Sequence, residues 1–140
     1  MTISEIGVAL SDITTALLTG MLRLARPEPE GMEFAIIALG RYGGQEVGFG
    51  SDFDIVYVYR ATTLSGEEAQ ARSEQIVQTV NRLSEDLRLP LDLDVGLRPE
   101  GKNGAVTRSL DSYRATTSAG RSPGRPRPCC ARAASSATPT

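Results

Sequence analysis

The stretch Leu39-Gly-Arg-Tyr-Gly-Gly-Gln-Glu-Val-Gly-Phe-Gly-Ser-Asp-Phe-Asp54 limits the choice of fold more than any other part of the chain. It sets Gly40, Gly43, Gly44, Gly48 and Gly50 between two apolar runs, so no helix or strand can pass through it unbroken. On its N-terminal side, Phe34-Ala-Ile-Ile-Ala-Leu39 is a short continuous apolar run, the pattern of a strand buried on both faces. On its C-terminal side, residues 52–59 are rich in β-branched and aromatic side chains and read as a second strand. Between them there is room for one helical turn around Gln45 and Glu46. The spacing predicts two strands joined by a glycine-dense connection, the second opening on two aspartates.

Periodicity supplies the flanking helices. Ile6, Leu10, Ile13, Leu17, Met21 and Leu24 follow at steps of three and four, predicting an amphipathic helix over 4–26 that Pro27, Pro29 and Gly31 end. Ser65 with Glu68 three residues on has the form of a capping box. It opens a helix to about Leu87, with Ala69, Ile76, Val80, Leu83 and Leu87 on one face and Pro90 closing it. Residues 91–97 alternate, with Leu91, Leu93, Val95 and Leu97 on one side and Asp92, Asp94 and Gly96 on the other, as a strand with one face on a core requires. A short strand is expected at 105–107, and a helix begins at Leu110. From residue 115 the chain turns to Ser, Thr, Ala, Gly, Arg and Pro, which bury too little to offset their ordering entropy. The expected organisation is an N-terminal helix over 1–30, an α+β core with a mixed sheet and flanking helices over 31–114, and a disordered tail over 115–140.

The carboxylates carry the chemistry. Asp52 and Asp54, two apart on a strand, leave the same face about 6.5–7 Å apart at Cα, while Phe53 and Ile55 anchor the opposite face. Carboxylates so placed can hold a pair of Mg²⁺ ions about 4 Å apart, the spacing used in two-metal phosphoryl transfer. Mg²⁺ suits them because it takes few carboxylates and fills its octahedron with waters and phosphates. Asp94, on the polar face of a later strand, can join them if both strands share a sheet. Solvent-facing acids on an exposed sheet face are the alternative, opposed by the repulsion of like charges so close together. The glycines offer backbone amides that can approach phosphates. Alone they are a weak signal, matching neither a dinucleotide fingerprint nor a P-loop.

Composition removes several classes. The chain has no histidine, which excludes Ser-His-Asp and Cys-His nucleophiles. Its only cysteines, Cys129 and Cys130, are adjacent and lack further zinc ligands. A net charge of −2 gives no basic footprint for nucleic acid. No apolar run of about 18 residues stands out as a membrane span, and the first residues lack the pattern of a signal peptide. A cytoplasmic protein with neither nucleic acid nor membrane as partner is expected.

A strand ending in apolar-Gly-x, then ten residues (42–51, the last of them Ser51), then Asp-x-Asp resembles the polymerase-β-like nucleotidyltransferases. The full stretch from Gly40 to Asp54 is similar to the signature of glutamine synthetase adenylyltransferases, in which a basic residue follows the first glycine, as Arg41 does here. Leu-Asp-Leu-Asp94-Val-Gly-Leu-Arg98-Pro-Glu-Gly101-Lys-Asn-Gly104 resembles that family's third-carboxylate strand and the loop after it, with Gly96 departing from a position that is often charged. The likeness spans about residues 9–114.

The resemblance implies transfer of AMP from ATP to a tyrosine of glutamine synthetase. It makes Asp52, Asp54 and Asp94 the Mg²⁺ ligands and catalytic carboxylates, with Asp94 ligating the catalytic metal or accepting the proton. Gly40, Gly43, Gly44 and Ser51 would border the nucleotide, and Arg41, Arg98 and Lys102 would neutralise the triphosphate. It further implies a PII-type signal protein as a partner of the full-length enzyme. The wording of 43–52 looks more like the C-terminal, adenylylating half of actinobacterial members than the deadenylylating half. Members are far longer, and the change of composition after Ala115 resembles a frameshifted or truncated end. A fragment that binds nucleotide or partner without turnover is therefore the competing expectation.

Overall fold

Met32–Ala38 (β1) and Phe53–Ala61 (β2) pair antiparallel in continuous register, from Met32 opposite Ala61 to Ala38 opposite Ile55. The computed structural model describes residues 1–26, 31–87, 91–96 and 105–119, and β2 is the central strand of its sheet. Ile55, Val56, Tyr57, Val58 and Tyr59 are all buried, so β2 is the strand covered on both faces. β1 lies at the sheet edge and alternates: Met32, Phe34, Ile36 and Ala38 are buried, Glu33 is exposed, and Ala35 and Ile37 are half-buried. The two-sided burial expected of 34–39 thus belongs to its neighbour.

The chain leaves β2 through Gly66–Glu85 (α3) and returns as Leu93–Asp94 (β3), parallel to the start of β2. This is the crossover that a parallel pair needs. Thr107–Ser109 (β4) pairs parallel with Tyr57–Tyr59 farther along β2, and Leu110–Ala119 (α4) packs on β2 and β4. The result is the mixed sheet flanked by helices expected of an α+β domain. The expected strand over 91–97 shortens to two residues, although Leu91, Leu93 and Val95 do pack on the core. The strand expected at 105–107 sits two residues later. The capping box of α3 is present: Ser65 Oγ accepts from Glu68 N–H, and Glu68 carboxylate accepts from Ser65 N–H.

α4 corrects the expected boundary at 115. It continues through Ala119, with the hydroxyls of Thr116, Thr117 and Ser118 each donating to the carbonyl four residues back. Arg108 Nη1 also donates to Thr116 Oγ1 at 3.0 Å. These short polar side chains satisfy themselves on the helix, so it needs no apolar face there. Pro27, Pro29, Pro90, Leu97 and residues 120–140 lie outside the described residues.

Ile3–Ala25 (α1) forms as the periodicity predicts, opened by a Thr2/Glu5 capping box, but of the predicted stripe only Met21 is buried and Leu10 packs on the core, so the buried face is turned from the expected one. Gly7, Ser11, Thr14, Leu18, Met21 and Leu22 are buried, whereas Ile13 is 58% and Leu24 72% exposed. Two features let the smaller residues go inside. A Cβ on Gly7 would stand 2.9 Å from Gln45 O, so glycine permits the helix to close on the loop. Ser11 and Thr14 donate to Gly7 O and Leu10 O, so their hydroxyls enter the core already bonded. By length and composition α1 is also apolar enough to cross a membrane, a test that the core helix of a folded domain passes as well.

Candidate active site

The first turn after β1 fixes the site. Gly40–Gly43 (α2) is a single helical turn, four residues earlier than the turn expected at Gln45 and Glu46. Its amides are spent locally: Gly43 N–H donates to Leu39 O at 2.8 Å and Gly44 N–H to Gly40 O at 3.0 Å. Gly43 and Gly44 therefore close the turn rather than present those N–H groups to a phosphate. Tyr42 pins the turn to the core. Its ring meets Phe53 edge-on at 5.5 Å, and its hydroxyl lies 2.9 Å from Thr15 Oγ1. Val47, only 2% exposed, anchors the other end of the loop.

This arrangement sets Gly40 directly under Asp54. Leu39 N–H donates to Asp54 O at 2.8 Å, Gly40 has φ +52°, and a Cβ on it would stand 2.5 Å from Asp54 Oδ2. Position 40 requires glycine twice over, for its left-handed backbone and for room.

Asp94 arrives through sheet pairing. Asp54 and Asp94 are register partners in the parallel β2–β3 pair, which sets their side chains on one face of neighbouring strands about 4.8 Å apart. Asp94 Oδ1 accepts from Gly96 N–H at 2.6 Å, an Asx-type turn that holds the carboxylate in place. A Cβ on Gly96 would come within 2.7 Å of that oxygen. Glycine at 96, the one departure from the resembled motif, thus leaves Asp94 undisturbed.

Asp52 is exposed and precedes β2 instead of lying within it, so the pair expected on one strand becomes one residue on the strand and one at its mouth. It still acts on its neighbour. The Asp54 carboxyl is raised above its ordinary range by burial first, then by Asp94 and Asp52, with the Arg41 guanidinium opposing. Asp52, Asp54, Asp94 and Arg41 accordingly form one electrostatic group. Ser51 braces the loop before it: its Oγ accepts from Gly48 N–H and its N–H donates to Gly48 O, both at 3.2 Å. Phe49 between them is 82% exposed. Arg98 and Lys102 lie outside the described residues.

Among the described residues no three carboxylate, thiol or imidazole groups close into a ready-made metal cage. Oxygen donors clustered with the same charge, one of them raised by burial and then by its neighbours, nevertheless suit a hard cation. Mg²⁺ typically takes one or two carboxylates and completes its shell with waters and substrate phosphates.

Sequence reasoning missed the Tyr42–Thr15 anchor, the clearance under Asp54 and the Asx turn at Asp94. Only the last had a local signal, a glycine two residues after an aspartate.

Residues 2–118 match the family model described as glutamate-ammonia ligase adenylyltransferase. Three curated relatives carry the name bifunctional glutamine synthetase adenylyltransferase/adenylyl-removing enzyme. The one from Leifsonia xyli is 55% identical over 117 residues, covering 81% of this chain and 12% of its own length. That from Streptomyces coelicolor is 39% identical over 117 residues, covering 79% and 12%. That from Mycobacterium tuberculosis is 37% identical over 122 residues, covering 81% and 12%. The chain thus spans about an eighth of the length of the relatives it matches.

Proposed function

The chain belongs to the glutamate-ammonia ligase adenylyltransferase family, and from that premise we propose that it carries the nucleotidyl-transfer centre that moves AMP from ATP to a tyrosine of glutamine synthetase. The observation that carries the reading is the Asp54–Asp94 register pair, with Asp52 beside it at the mouth of β2. Asp52, Asp54 and Asp94 would hold Mg²⁺, which when bound supplies countercharge to the triphosphate and lowers the pKa of the incoming hydroxyl.

The reaction is a displacement at the α-phosphorus of ATP. The tyrosine oxygen forms the new P–O bond, the bond to the β-phosphate breaks, and pyrophosphate leaves with the electron pair. The hydroxyl proton passes to a carboxylate, for which Asp94 is the candidate, since the chain has no histidine to take it. Arg41 opposes the negative charge of the cluster and would help neutralise the triphosphate, with Arg98 and Lys102 as further cations. Such a centre works in the cytoplasm, where ATP and glutamine synthetase are present. A PII-type signal protein would act through the full-length enzyme.

The relatives are named for two activities, adenylyl transfer and adenylyl removal, so a second reading has support: removal of AMP from the modified tyrosine, for which inorganic phosphate would be the acceptor and ADP the product. The same carboxylates serve both directions, and the Gly48-Phe-Gly-Ser-Asp52 wording favours the adenylylating one. Two measurements on the chain separate the outcomes. With ATP, Mg²⁺ and glutamine synthetase, radiolabel from the α-phosphate should enter the protein, and Asp54→Asn should stop it. Phosphate-dependent ADP release from adenylylated glutamine synthetase, without ATP-dependent labelling, would reverse the assigned direction. Calorimetric binding of ATP with Mg²⁺ and no turnover in either direction would leave a nucleotide-binding fragment. No binding and no turnover would reject the centre.

A further inference from the structure

α1 carries two apolar faces, and the described fold buries one and touches the other only at Leu10. On the other, Ile3, Ile6, Leu10, Ile13, Leu17 and Leu24 succeed one another at steps of three and four, with Gly20 at the place where the repeat needs one more. Seven positions with that alternation make a seam of the kind that packs knobs into holes on a second helix. Most of the seam is open: Ile3 is 90%, Ile13 58%, Leu17 38% and Leu24 72% exposed, while Ile6 is half-buried and Leu10 half-buried against the core. A Cβ on Gly20 would meet nothing within 4 Å, so a large side chain from outside can enter there. Single exposed apolar residues are ordinary, but a contiguous stripe along a 23-residue helix is the form of an interaction surface.

The charges at the helix ends give the seam a direction. Glu5 stands exposed in the first turn and Arg23 exposed in the last. A helix packed antiparallel, itself acidic at its start and basic at its end as helix dipoles favour, meets opposite charge at both ends. The remainder of this chain cannot supply that helix, because residues 120–140 contain no Leu, Ile, Val, Phe or Met. The matched relatives, by contrast, hold this region within only 12% of their length.

We propose that the Ile3–Leu24 seam of α1 is the docking surface for one amphipathic helix, packed antiparallel and carrying its own three-four apolar repeat, supplied by the part of a longer family protein that this chain does not span. The inference rests on family membership and the exposed seam, and it is independent of the catalytic reading.

Thiol labelling tests it. Leu17→Cys is made in this chain, and a cysteine is placed at the aligned position of the full-length Leifsonia xyli protein. Maleimide modification of each is then followed peptide by peptide by mass spectrometry, after circular dichroism has shown each variant folded. The thiol in this chain should label at the rate of an exposed cysteine, and its counterpart in the long relative about tenfold slower or more, as buried thiols do. Equal rates in the two proteins would overturn the proposal. So would slow labelling in this chain that speeds up on dilution, which identifies a second copy as the occupant. Protection in this chain only on adding anionic phospholipid vesicles would overturn it too, in favour of a lipid surface.

Discussion

Asp54 is held where its charge is unwelcome to the fold, and that has a sign that can be measured. Burial, Asp94 and Asp52 raise its folded pKa above the unfolded value. A group so shifted contributes stability that is fully present below the unfolded pKa and lost as pH rises through the folded one. At pH 7 the ionised carboxylate therefore destabilises the metal-free domain, and Asp54→Asn should raise Tm by about 2 °C. The gain should shrink as pH falls through the carboxylate range. The same substitution should remove AMP transfer, so stability and activity move in opposite directions, as at other sites that concentrate like charge. A thermal melt at pH 7 and at pH 3.5, beside the labelling assay, checks both halves. Gly40→Ala should act oppositely. It forces a Cβ into a φ of +52° and to within 2.5 Å of Asp54 Oδ2. The backbone term alone is about 1–2 kcal/mol, so Tm should drop by several degrees while calorimetric ATP–Mg²⁺ binding weakens through the displaced carboxylate.

At the scale of elements, α1 shows where a sequence pattern misleads. Its large apolar residues repeat at helical steps, yet the first half of the face that enters the core is Gly7, Ser11 and Thr14, followed by Leu18, Met21 and Leu22. Ser11→Leu, at a site 2% exposed, should cost about 1–3 kcal/mol by overpacking. Ile13→Ser, on the face that periodicity marks as core, should change the stability of this chain by less than about 0.5 kcal/mol. Urea denaturation of the two variants would settle the assignment of faces; a larger loss from Ile13→Ser would reverse it. The other elements were more readable for physical reasons. Ser65 and Glu68 announce the start of α3 because a capping box is local chemistry. β2 was visible because its run of β-branched and aromatic residues suits a strand in any context. The closeness of Asp54 and Asp94 followed only on the supposition that their strands share a sheet, and the parallel register that pairs them is a tertiary fact. Nothing local distinguishes a strand of two residues from the seven suggested by alternation over 91–97. The spent amides of Gly43 and Gly44 were equally hidden, since a glycine-rich loop looks the same whether its N–H groups turn inward or outward.

For the whole molecule, the question is where the cooperative unit stops. Composition marks residue 115 as the point beyond which no large apolar side chain remains. The structure carries order further, because α4 runs to Ala119, packs on β2 and β4, and engages Arg108 of β4 through Thr116. Arg108 is only 5% exposed, and a buried guanidinium that loses a hydrogen-bond acceptor is costly. Removing residues 120–140 deletes four arginines and no Leu, Ile, Val, Met or aromatic side chain, so Tm should stay within about 1 °C of the parent, as expected where little apolar area is lost. Removing residues 115–140 should lower Tm by about 5 °C, the scale of one lost hydrogen bond and one helical turn in a domain of this size. The two deletions differ by five residues, and the difference in their melts measures what the last turn of α4 contributes. Equal melts for both would return the boundary to 115. A large loss from the shorter deletion would show that the arginine-rich segment packs on the acidic body, whose charge is −6 without those four residues. In that case the loss should fade with added salt, since contacts between exposed charges are screened within about 10 Å at 0.1 M. Insensitivity to salt would point to packing instead, so a salt series on the 1–119 chain distinguishes the two causes.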